Sequence, residues 1–184
     1  METVPPLITI SGPPASGTSS VAEQLTERLE FEYINGGDIF REMAEDRDLT
    51  LSELTELSEK TDEIDKELDT RLKQIIEDHL AEDRDPDGKG LLVESRLAGC
   101  HAEGRADISV YITADPDIRY SRTSDREETL AEMKRREKSE KQRYKKYYGY
   151  DMEDPSVYDL YIDTSNSIGV LPTVECILGV YNNV

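Results

Sequence analysis

The chain has 184 residues, room for one well-packed domain and little for a second. Asp and Glu total 41 against 22 Lys and Arg, a net charge of −19, so the surface field is negative and argues against nucleic acid or an anionic membrane as partners. The same excess of carboxylate fits a protein working in concentrated salt, where screening shortens the Debye length to roughly 3 Å at 1 M.

The first segment, "METVPPLITI", has no basic flank and no apolar stretch of roughly 7 to 15 residues, so it does not read as a signal peptide. With no long apolar run elsewhere, the expectation is a soluble, cytoplasmic chain. Leu7–Ile10, "LITI", predicts a short buried strand; a glycine loop follows, then Val21, Ala22, Leu25 and Leu29 at helical spacing. "FEYI", Phe31–Ile34, predicts a second strand. "GGDIFREMAEDR" turns at Gly36 and Gly37 and enters a helix with Asp38 as its cap. "TLSE", Thr50–Glu53, is a capping-box signature ahead of Leu51, Leu54 and Leu57. Ile64, Leu68, Leu72, Ile75 and Ile76 mark a longer amphipathic helix, ended by a surface loop at "EDRDPDGKG".

"LLVE", Leu91–Glu94, and "ISVYIT", Ile108–Thr113, predict buried strands; "DLYID", Asp159–Asp163, predicts the last, and a closing helix begins near Pro172. Strands alternating with helices predict an α/β fold: an open parallel sheet covered by helices on both faces, with ligands beyond the carboxyl ends of the strands. Cys100 and Cys176 form no CxxC pair, and His79 and His101 stand apart from any ligand cluster, so neither a metal centre nor a disulfide framework is expected from them.

Between the first strand and helix lies "SGPPASGTSS". It matches the phosphate-loop pattern G-x-x-x-x-G-K-[ST] at Gly12, Gly17 and Ser19, but Thr18 stands where lysine is usual. Backbone N–H groups and a helix N-terminus bind phosphate without a lysine, so the loop keeps its cradle and lacks its side-chain charge. Ser19 occupies the position whose hydroxyl reaches Mg²⁺. A tight Gly-Pro turn that merely feeds a helix is the bland alternative.

The arginines bear on that choice. In "EETLAEMKRREKSEKQRYKKYYG", residues Met133, Arg136, Glu140, Arg143 and Tyr147 fall at steps of 3, 4, 3 and 4, one helical stripe with a charged centre. Taken alone, such a stripe is a solvated, salt-bridged face. Arg41 follows "GGD", Arg96 follows "LLVE", and Arg122 and Arg126 follow "ISVYIT", all after strand ends. In a chain this acidic, that convergence points to a polyphosphate site.

With "GPPASGTSS", "GGDIFREMA", "ESRLAG", "RREKSEKQRYKKYYG" and "SVYDLYIDTS" in this order over most of its length, the chain resembles the nucleoside monophosphate kinases, most closely the archaeal type of cytidylate kinase. Threonine in the lysine position is itself a feature of archaeal members. The resemblance implies a P-loop kinase with a sheet core, an NMP-binding region at about 36–82 and a mobile lid with its following helix at about 119–150. It implies transfer of the γ-phosphate of ATP to CMP or dCMP with Mg²⁺, by a monomer whose partners are small nucleotides.

By the same resemblance Gly12, Pro13, Pro14, Ala15, Ser16, Gly17, Thr18, Ser19 and Ser20 hold the ATP phosphates, with Ser19 near Mg²⁺. Arg41 and Arg96 grip the acceptor phosphate, and Arg122 and Arg126 donate to ATP from the lid. Arg136, Glu140 and Arg143 are similar to the family's Arg-x-x-x-Asp-x-x-Arg, whose arginines face the phosphates and whose acid orients the acceptor nucleoside; glutamate here adds a methylene. Bacterial members carry serine and tyrosine where this chain has Gly36 and Phe40, so base and sugar contacts there do not transfer. An adenylate kinase-like enzyme would use the same parts, and a nucleotide-binding module that lost its chemistry with the lysine would bind ATP without turnover.

Overall fold

A computed structural model describes residues 5–81, 88–123, 129–166 and 169–183. In chain order the elements are β1 (Leu7–Ser11), α1 (Thr18–Leu29), β2 (Glu32–Asn35), α2 (Gly36–Glu45), α3 (Leu51–Lys60), α4 (Glu63–Leu80), β3 (Leu91–Glu94), α5 (Ala98–Ala102), β4 (Ile108–Thr113), α6 (Pro116–Ser121), α7 (Leu130–Tyr148), β5 (Leu160–Asp163) and α8 (Val170–Tyr181). The five strands form one parallel sheet in the order β2-β3-β1-β4-β5.

Every residue of β1 and β3 is buried, which is why these strands read as unbroken apolar runs rather than alternating ones. Alternate residues still face opposite ways. Ile8, Ile10, Leu92, Ile108, Val110 and Ile112 pack under α1 and α8, while Leu7, Leu91 and Val93 pack under α4 and α5. Met43, Leu54 and Ile64 close a smaller cluster that joins α2, α3 and α4. Tyr144 of α7 is buried with Leu97, Cys100 and Met152, which fixes that helix's C-terminal half beside α5.

Three boundaries differ from the sequence reading. Phe31 is not in β2: α1 ends with Glu30 in the left-handed region at φ 57°, and Phe31 N–H closes onto Thr26 C=O before the strand starts. The cap of α2 is Asn35, not Asp38. Its side chain accepts from Gly37 N–H at 2.7 Å, so the helix begins at Gly36 and Asp38 lies in its first turn, favourably placed for the macrodipole. Asp159 precedes β5, and its carboxylate instead accepts from Ser109 N–H at 2.7 Å.

The capping box at Thr50 and Glu53 forms as expected, and a second one at Thr129 and Glu132 opens α7. Pro172 is the third residue of α8, where a missing N–H costs no helical bond. Most of the "EDRDPDGKG" loop lies outside the described residues. No described helix is long and apolar enough to cross a membrane.

A net charge of −19 repels itself at low ionic strength. Thermal unfolding is therefore expected at a higher midpoint in molar KCl than in dilute buffer; a flat or falling midpoint would leave the acidic surface without this explanation.

Candidate active site

The sheet brings its functional side chains to one edge, the carboxyl ends of β1, β3 and β4. Beyond β1 the chain folds tightly against the sheet: a Cβ on Gly12 would lie 2.2 Å from the Ile112 carbonyl, so only glycine fits there. Gly17 turns the loop into α1 at φ 96°, a conformation costly for any other residue, and no side chain caps the helix behind it. The first N–H groups of α1 are thereby left for a ligand, as an anion site requires.

Thr18 is buried at the first position of α1. Ser19 Oγ donates to Glu94 Oε1 at 2.9 Å. Glu94, the last residue of β3, also accepts from Asn35 Nδ2 at 2.8 Å and from the Tyr33 hydroxyl. Burial, reinforced by the Glu94 carboxylate, raises the Tyr33 phenol well above its ordinary range and keeps it a donor. Glu94, Tyr33 and Asn35 were not anticipated as site residues, although a carboxylate ending a buried strand is a legible signal.

Arg96 Nε lies 3.2 Å from Glu140 Oε2 and its Nη1 donates to the Gly12 carbonyl at 3.1 Å. Glu140 Oε1 is 4.0 Å from Arg136 Nη1, so this carboxylate stands between two guanidinium groups. Arg143 donates from Nε to Asp65 Oδ2 at 2.7 Å and from Nη1 to Ser139 Oγ at 2.9 Å, tying α7 to α4. Arg41 pairs with Asp38 one turn earlier, both exposed. Such a surface pair is weak.

Arg41, Arg96, Arg136, Glu140 and Arg143 all line one cavity of about 340 Å³. A second, of about 510 Å³, lies across the loop between Ser16, Gly17, Ser20, Arg122, Thr164 and Thr173. Ala15, Thr18 and Ser19 line both, so the loop is the wall the two cavities share. Pro14 lines the first alone, whereas Gly12 and Pro13 line neither and form the loop's inner side. Arg122 is held at the second cavity, donating to Thr164 Oγ1 at 3.1 Å and to its carbonyl at 2.8 Å. Arg126 lies outside the described residues.

In the wall of the first cavity α4 places Asp69 one turn beyond Asp65, and burial pushes the Asp69 carboxyl up to about 6. His101 Nε2 stands 3.3 Å from Asp69 Oδ1, but burial lowers this imidazole to about 3, so it is neutral and does not compensate the carboxylate. A carboxyl whose folded value is raised adds stability below its unfolded value and loses it as pH rises through about 6. Asp69→Asn is therefore expected to melt several degrees above the parent at pH 7.5 and to equal it near pH 4, a difference of about 2–3 kcal/mol. Parallel melting curves across pH 4–8 would show that Asp69 is not the strained group. Cys100 is buried, with its thiol pushed up to about 11 by that burial, and Cys176 is exposed; both are free.

A model of the cytidylate kinase-like family matches residues 7–166. The cytidylate kinase of Halobacterium salinarum is 46% identical over 164 residues, spanning 86% of this chain and 81% of that protein. Those of Natronomonas pharaonis and Archaeoglobus fulgidus are 43% and 39% identical, spanning 95% and 93% of this chain and 90% and 92% of theirs. Among solved structures, an uncharacterized protein from Eubacterium ventriosum superposes with TM-score 0.69 at 20% identity over 97% of this chain and 99% of its own. A gluconokinase from Sinorhizobium meliloti gives 0.59 at 13%, over 98% and 94%. The chain shares the P-loop kinase fold of the gluconokinase.

Proposed function

The chain belongs to the cytidylate kinase-like family, and from that premise we propose that it is a (d)CMP kinase that transfers the γ-phosphate of ATP to CMP or dCMP, giving ADP and the diphosphate. The observation that carries this reading is the pair of cavities meeting at Ala15, Thr18 and Ser19, one rich in arginine and the other opening on the helix N-terminus. That is the arrangement in-line transfer between two nucleotides needs.

In this reading the loop amides and the α1 N-terminus receive the ATP phosphates, and the cavity beside Arg122 and Thr164 receives the rest of ATP. Arg41, Arg96, Arg136 and Arg143 receive the acceptor phosphate, while α2, α3 and α4 wall the nucleoside. The acceptor phosphate is already an anion, so no general base is assigned. Residues 36–82 act as the NMP-binding region and 119–150 as the lid and its helix, whose closure excludes water and suppresses hydrolysis of ATP.

Ser19 Oγ against Glu94 Oε1 presents two hard oxygen ligands at the loop mouth, which suits Mg²⁺, an ion that takes few protein ligands beside phosphates and water. When bound there, Mg²⁺ would neutralise charge on the phosphates. The chain's own contribution is the set of arginines. A guanidinium on the transferring group is worth roughly 10³ to 10⁵ in rate, comparable to the absent lysine, and its fork bridges two oxygens.

Purified protein incubated with ATP and each nucleoside monophosphate, read as ADP formation, is expected to show CMP as best acceptor, dCMP close behind and AMP poor. Faster turnover with AMP would make this an adenylate kinase-like enzyme; ATP binding without turnover on any acceptor would make it a regulatory module.

A further inference from the structure

Arg119, in the last turn of α6, is 3% exposed and takes no part in either cavity. Its Nε donates to the Ala114 carbonyl at 2.8 Å, its Nη1 to the Pro14 carbonyl at 2.9 Å and to Glu137 Oε1, and its Nη2 to Glu137 Oε2 at 3.1 Å. Glu137, 8% exposed, is on α7 beside Arg136. One buried guanidinium thus bonds the phosphate loop, the end of β4 and the helix that carries the acceptor-side arginines.

We propose that Arg119 and Glu137 form a positioning clamp that sets the phosphate loop for ATP and fixes it in register with α7. The geometry of the peptide unit supplies the reason. In a planar trans peptide the C=O and the following N–H point in opposite directions. Pinning the Pro14 carbonyl toward Arg119 therefore aims the Ala15 N–H away from it, and Ala15 is one of the three residues in the wall between the cavities. Ala15 itself holds the left-handed region at φ 60°, a strained conformation for a residue with a side chain, so an external hold on that peptide has something to resist. Arg96 grips the loop at the Gly12 carbonyl, but the next residue is Pro13, which has no N–H to aim.

Stability alone does not call for the pair, because apolar residues of similar volume replace many buried ion pairs without loss. That provides the test, which uses ATP-site binding without acceptor and so does not depend on CMP being the substrate. The double variant Arg119→Met/Glu137→Met and the single variant Arg119→Lys are compared with the parent by thermal unfolding, by calorimetric titration with a non-hydrolysable ATP analogue, and by steady-state kinetics.

The double variant is expected to melt within a few degrees of the parent, bind the analogue at least tenfold more weakly and lose at least tenfold in kcat/KM for ATP, with KM for CMP within twofold. Lysine keeps the charge beside Glu137 but has no planar fork to reach both carbonyls. Arg119→Lys is expected to keep its melting temperature and weaken analogue binding at least threefold, which decides the matter if the double variant does not fold. Parental affinity for the analogue in either folded variant, or a loss confined to KM for CMP, would overturn the clamp and leave an ordinary structural ion pair.

Discussion

Replacing Arg136 by alanine is expected to lower kcat by two or more orders of magnitude while the melting temperature stays close to the parent's. Arg136 stands 4.0 Å from Glu140 in the arginine-lined cavity, and Arg96 still pairs that carboxylate after the change, so Glu140 is not left alone. In the proposed function what is lost is a charge facing the transferred phosphoryl group, and removing one such stabiliser costs roughly 10² to 10³ in kcat. The loss should fall on the chemical step rather than on binding of ATP.

Arg143→Ala is expected to behave differently. Its guanidinium is held by Asp65, whose side chain is 6% exposed, so alanine leaves a buried carboxylate without its partner, at a cost of about 3 kcal/mol in stability as well as in kcat. Arg143→Ala combined with Asp65→Asn should recover most of the melting temperature and none of the rate. Near-normal kcat in both Arg136→Ala and Arg143→Ala would mean that the stripe on α7 is a solvated face after all.

The second large effect is expected at Arg96. Its side chain bridges the two halves of the site, bonding the loop at Gly12 on one side and Glu140 on the other. Alanine there should lower kcat by roughly 10²-fold or more and raise KM for CMP, because the acceptor phosphate loses a planar donor and Glu140 loses the group that orients it. KM for ATP should change little, since the loop amides that receive ATP remain. A rise confined to KM for ATP would place Arg96 on the donor side instead.

The order of the five strands and the longer helices was legible because strands buried on both faces must be short apolar runs and the helices covering them must repeat every third or fourth residue, whereas α5 and α6, of 5 and 6 residues, are too short to show that repeat and were not anticipated. Boundaries were less legible where two residues of one chemical type compete. Asn35 and Asp38 both make good caps, and only the extended backbone at Asn35 decides between them. The capping box at Thr129 was as readable as the one at Thr50. The five residues expected to serve the acceptor, Arg41, Arg96, Arg136, Glu140 and Arg143, share one cavity.

What those arginines touch was not legible. Asp65 lies 78 positions from Arg143 and Glu137 lies 18 from Arg119, and no local pattern records which buried carboxylate meets which guanidinium. The wall that α2, α3 and α4 give this cavity was opaque as well, because the spacing of those helices is set by the cluster around Met43, Leu54 and Ile64.

The central claim is that charge absent from the loop at Thr18 is supplied by arginines outside it. The most direct measurement is kcat for Thr18→Ala and Arg96→Ala side by side, with saturating ATP and CMP. Thr18→Ala should lose no more than a few-fold, because the loop cradles phosphate through its backbone, and Arg96→Ala should lose roughly 10²-fold or more. A loss at Thr18 as large as that at Arg96 would contradict the account and assign the lysine's work to the threonine hydroxyl.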